Sequence, residues 1–110
     1  MNSQTFAWLV LAASVLAEVL GTLALRYAAG FTRLWPSVAV VTCYACAIWL
    51  MSVAVKRLEM GLTYAVWAGA GTALTAILGM IWFGETSSAL RFAGLGCIVV
   101  GVVALNLSAQ

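Results

Sequence analysis

Apolar side chains in this sequence gather into four long blocks instead of alternating with polar ones. Blocks 6–25, 36–55 and 61–84 are each apolar over about 20 residues or more, the length a helix needs to cross a bilayer. A fourth run, 92–107, gains a turn from the residues before it to give 89–107. The first block carries one charge, Glu18, the second and third carry none, and Arg91 stands at the edge of the fourth. Lipid gives the backbone no hydrogen-bond partner, and four segments cannot close a barrel, so each block is expected to be a helix. The pattern predicts an all-α membrane protein: one four-helix transmembrane domain over 1–110, joined by short links at 26–35, 56–60 and 85–90. The first block reads as a span and not as a cleavable signal, because its apolar stretch is long, holds a carboxylate and lacks a basic flank.

Composition agrees. The chain is 65% hydrophobic and 7% charged, whereas soluble domains carry about a quarter charged residues. Soluble enzymes, nucleic-acid binders and disordered tails are thereby disfavoured. The formal net charge of +2 rests on too few side chains to name a partner. The absence of histidine and aspartate removes imidazole acid–base chemistry and most metal sites, so neither cofactor nor metal is expected. Cys43 and Cys46 have the spacing of a redox pair, but no neighbouring charge is present to stabilise a thiolate, and they read as small apolar residues.

Glu18 is the residue out of place. At about 1.5 Å per residue it lies roughly 18 Å from Phe6 and 10 Å from Leu25, too deep for its side chain to reach either interface. No basic residue lies inside any block to neutralise it. Intramembrane carboxyls are costly and mark ion or substrate routes. A lone carboxyl at that depth can be satisfied by a proton or by an incoming cation, so Glu18 is suited to exchanging one for the other. The bland alternative is a protonated carboxyl that bonds two helices together.

Ser14, Glu18 and Thr22 recur at i, i+4 and i+8 with Gly21 beside them, a polar and narrow stripe suited to a pocket. The same hydroxyls could equally bond their own helix. Tyr64 and Trp67, one turn apart, offer aromatic faces to a cation, and Tyr44 shares that ambiguity. Gly69 and Gly71 permit a hinge or close packing. Gly94, Cys97, Gly101 and Ala104 form a small-residue stripe that suits a dimer contact or packing within the subunit.

The motifs Ala17-Glu18-Val19-Leu20-Gly21-Thr22, Gly30-Phe31-Thr32-Arg33-Leu34-Trp35-Pro36-Ser37 and Tyr64-Ala65-Val66-Trp67 with Gly69-Ala70-Gly71 identify a likeness. With the Gly94 to Gly101 spacing and Asn106, the chain resembles the small multidrug resistance family of bacterial proton-coupled exporters over essentially its whole length. The resemblance implies an antiparallel homodimer in the bacterial inner membrane. It implies a shared site in which Glu18 binds protons or substrate and Tyr64, Trp67 and Tyr44 line the pocket. Gly21 stands where guanidinium exporters of the family tend to carry tryptophan, which points to lipophilic and quaternary-ammonium cations. The chain departs from the family pattern at Glu59, where the family usually has proline, at Arg26, which replaces a common lysine, and at Ala47, where serine is often found.

Three readings follow: a drug/proton antiporter; an exporter of guanidinium or another metabolite cation, or one half of a heterodimer; and a structural subunit without transport. The links and span edges carry Arg26, Arg33 and Arg91 on one side against Lys56, Arg57 and the amino terminus on the other, almost no positive-inside bias, so dual insertion is expected.

Overall fold

The computed structural model describes residues 2–108. They form four helices, α1 (Ser3–Ala28), α2 (Leu34–Ala54), α3 (Met60–Trp82) and α4 (Ala89–Ser108), each long and apolar enough to cross a membrane. The chain is an all-α membrane protein.

Local chemistry sets the ends of these helices. α1 overruns 6–25 at both ends. Asn2 caps it by accepting the Thr5 N–H at 2.7 Å, and Arg26 sits in its last turn, where a cation suits the carboxyl end of the helix dipole. The chain leaves α1 through three successive left-handed residues, Ala29, Gly30 and Phe31. α2 begins ahead of Pro36, since proline is tolerated in a first helical turn where no N–H partner is needed. α3 stops short of 84, and the left-handed Gly84 turns the chain towards α4. Glu59 caps α3 with φ −61°, the angle proline also holds, so the departure at this position leaves the backbone where a proline would put it. Its carbonyl accepts both the N–H and the hydroxyl of Thr63.

Packing centres on α1, which runs against α2 and α3. On α1 the buried Ala7, Ser14, Gly21 and Ala28 recur at heptad spacing, and on α2 so do Val40, Ala47 and Ala54. Small residues at that period let two backbones approach closely, which is how helices associate where lipid removes the hydrophobic drive. Across this seam Ser14 Oγ donates to the Ala47 carbonyl at 2.6 Å. Ala7 and Leu11 meet Ala54 and Leu58 at one end of the pair.

α4 stands apart. Its main contact is with α3, through Ile98 and Val102 against Gly69, and none of its residues is buried. The radius of gyration is 15.1 Å, against about 13 Å for a compact globule of this length.

Candidate functional site

A cavity of ≈ 440 Å³ opens between α1 and α3, lined by Glu18, Thr22, Trp67, Ala68, Gly71, Thr72, Thr75, Ala76 and Glu85. α1 supplies Glu18 and Thr22 from one stripe, because residues four apart share a helix face. α3 supplies the opposite wall from successive turns.

Glu18 is half-buried and held from two sides. Thr22 Oγ1 lies 3.3 Å from Glu18 Oε1 and 3.0 Å from the Glu18 carbonyl, and it is in turn 2.8 Å from the Tyr44 hydroxyl. Tyr44 thus reaches the carboxylate through Thr22, outside the cavity wall. It packs where Gly21 leaves space: a Cβ at Gly21 would come within 2.7 Å of the tyrosine ring. On the far side Gly71 makes room for the carboxylate, since a Cβ there would lie 2.7 Å from Glu18 Oε2.

That oxygen has no hydrogen-bond partner among the described residues although it is shielded from solvent, and the same is true of Trp67 Nε1. An unpaired buried acceptor is costly, and a charged one more so. Both orphaned atoms belong to cavity-lining residues. The wall therefore offers one carboxylate oxygen without a donor, one indole N–H without an acceptor, and an aromatic face. A cation, or a proton, is the species that satisfies such a carboxylate.

Of the residues expected at the pocket, Glu18, Thr22 and Trp67 meet at the cavity, where Gly71, expected as a hinge, joins them. Gly21 and Tyr44 lie directly behind it. Ser14 does not join them: it is fully buried in the α1–α2 seam, its hydroxyl committed to Ala47. Ala47, where the family pattern often has serine, supplies the carbonyl for that bond. Tyr64 is 58% exposed, and its ring contacts Trp67 at 5.8 Å between centroids, outside the cavity lining. Gly69 abuts Val102, where a Cβ would come within 2.6 Å, and α3 runs unbroken through both Gly69 and Gly71. Among the described residues Gly94 and Gly101 have nothing within 4 Å of a notional Cβ, and Cys97 and Ala104 are exposed, so this stripe packs against none of them.

Three polar contributors are additional to the sequence reading. Thr72 and Thr75 continue the face of Ala68 and Gly71, a periodicity visible along α3. Glu85, which the sequence places in the 85–90 link, folds back over Gly79 to line the cavity and pairs with Arg26 at 3.2 Å. Long-range pairing of this kind has no local signal.

The model of the family described as Small Multidrug Resistance protein matches residues 6–98. The quaternary ammonium compound-resistance protein QacF of Klebsiella aerogenes is 46% identical over 91% of this chain and 91% of its own. A guanidinium exporter of Yersinia pseudotuberculosis is 40% identical, covering 93% of this chain and 98% of its own. The multidrug transporter EmrE of Escherichia coli is 36% identical over 91% of each.

Proposed function

Because the chain belongs to the small multidrug resistance family, we propose that it is a proton-coupled antiporter that exports lipophilic and quaternary-ammonium cations through Glu18. It is a transporter and not an enzyme, a multi-pass protein of the bacterial inner membrane. The observation that carries the proposal is the shielded, partnerless Oε2 of Glu18 in a cavity that holds no basic side chain.

The mechanism uses one site for two ligands. With Glu18 ionised, a cation enters, neutralises the carboxylate and stacks on Trp67. Thr22, itself bonded to Tyr44, keeps the carboxylate aimed across the cavity. With Glu18 protonated, no charge remains to hold the cation, and it leaves. Proton entry on the outer side therefore expels the drug without any separate coupling device. One subunit cannot alternate access alone, and we assign the second half of the site to an antiparallel copy. In such a dimer the inward- and outward-open states are related by symmetry, so the two subunits exchange conformations at no net cost. α3 flexes at Gly69 and Gly71 during the exchange. Two protons returned for one monovalent cation move one net charge inward, favoured by about 2.3 kcal/mol per 100 mV of membrane potential.

Cavity size favours bulky cations. A volume of ≈ 440 Å³ from one subunit exceeds what a planar guanidinium fills. Export of guanidinium is the second reading, supported by the Thr72 and Thr75 hydroxyls, which can accept N–H donors that a quaternary ammonium lacks.

Binding of tetraphenylphosphonium to the purified protein, measured as the solution is acidified, tests the proposal. Affinity should fall as protons occupy Glu18, and Glu18→Gln should lose both the binding and its pH dependence. Affinity indifferent to acidification contradicts shared-site exchange, and tighter binding of guanidinium favours the second reading.

A further inference from the structure

Besides Glu18, the cavity has one other charged residue in its wall, Glu85. α3 seats both carboxylates in gaps left by glycine. Gly71 receives Glu18, and Gly79 receives Glu85 so closely that any Cβ there would collide with it. The two glycines are about 12 Å apart along the helix axis, so one carboxylate lies deep and the other lies at the end of α3.

The outer carboxylate sits in a cluster that ties the end of α1 to the end of α3. Arg26 Nη1 donates to Glu85 Oε2 at 3.2 Å, and the guanidinium lies 4.6 Å from the Phe83 ring centroid. Phe83 packs on Tyr27 at 5.7 Å, and Trp82 Nε1 donates to the Tyr27 hydroxyl at 2.7 Å. Glu85 N–H donates to the Gly79 carbonyl at 3.1 Å, which fixes the loop that carries the carboxylate. The paired side chains are 57% and 41% exposed. An ion pair so open to solvent contributes little to stability. Its effect on charge is larger: without Glu85, Arg26 would set an unopposed positive charge beside the route to Glu18.

Resting on the antiport reading, we infer that the Arg26–Glu85 pair is the entrance of the Glu18 cavity, and that Glu85 is a positioning residue which neutralises Arg26 and, with Phe83, holds it aside from incoming cations. Glu85 acts on the rate at which cations arrive. Glu18 acts on how tightly they are held.

Opposite-signed effects of the two single neutralisations test this. The association rate of tetraphenylphosphonium with the purified full-length protein is measured at low and at high salt. Glu85→Gln should slow association roughly tenfold at low salt, because it leaves Arg26 to repel the cation. Arg26→Gln should accelerate it, and the Arg26→Gln/Glu85→Gln double variant should return to within about threefold of wild type. These differences should shrink near 1 M salt, where the screening length is about 3 Å. Binding amplitude at high salt reports that each variant is folded. If both single variants slow association alike and salt makes no difference, the pair is a brace between α1 and the α3–α4 loop and the inference is overturned. Absence of binding by the wild type removes the antiport reading, and this inference with it.

Discussion

Ser14 shows how one hydroxyl can be read two ways. Its place one turn before Glu18 gives it the periodicity of a pocket residue, yet the same face borders α2, and there it is buried against the Ala47 carbonyl. Periodicity fixes the stripe on which a residue lies, while the neighbour that covers the stripe depends on how the helices cross. Glu18 was legible for a simpler reason: a carboxyl at that depth has no structural use unless something neutralises it. Glu85 was not legible, because its role depends on a turn at Gly84 and on Arg26 from a distant helix. If Ser14 is a clasp, Ser14→Ala should lower unfolding stability by about 1 kcal/mol, the net worth of one hydrogen bond. Tetraphenylphosphonium affinity should stay within about twofold of wild type. Denaturation and binding titrations on one preparation separate these, and lost affinity with stability unchanged would return Ser14 to the pocket.

Among the elements, the number and order of the helices follow from hydrophobic block length, and their ends shift by a few residues where caps and left-handed turns intervene. The small-residue heptads of α1 and α2 were also present in the sequence, Ala7-Ser14-Gly21-Ala28 facing Val40-Ala47-Ala54. They identify the closest helix pair once the two are set side by side. α4 presents the opposite case. It spends Ile98 and Val102 on α3 and leaves Gly94, Cys97, Gly101 and Ala104 uncovered on an adjacent face. In lipid, open glycines of this kind suit close approach by another helix. Assigning the stripe to the dimer predicts that Gly101→Leu weakens self-association severalfold by overfilling the crossing. Crosslinking or energy transfer between labelled subunits measures this. A mutant that dimerises as well as wild type would leave the stripe facing lipid.

At the scale of the whole molecule, the open shape and the distribution of charge bear on one question: how a single four-helix chain could form a two-sided transporter. The end of the molecule where Arg26 meets Glu85 carries Arg26, Arg33 and Arg91, and the other end carries Lys56 and Arg57. With so little difference between them, both orientations should insert. Single cysteines placed in the 56–60 and 85–90 links should each be labelled from both sides of the membrane. A uniform orientation would rule out an antiparallel pair. Whatever the orientation, coupling requires that one carboxylate serve both ligands. Its most direct measurement is the proton balance when tetraphenylphosphonium is added to weakly buffered, purified protein. Protons should be released in proportion to cation bound, and Glu18→Gln should release none. Stoichiometric cation binding with no proton release from the wild type, at a pH where Glu18 is protonated beforehand, would contradict it.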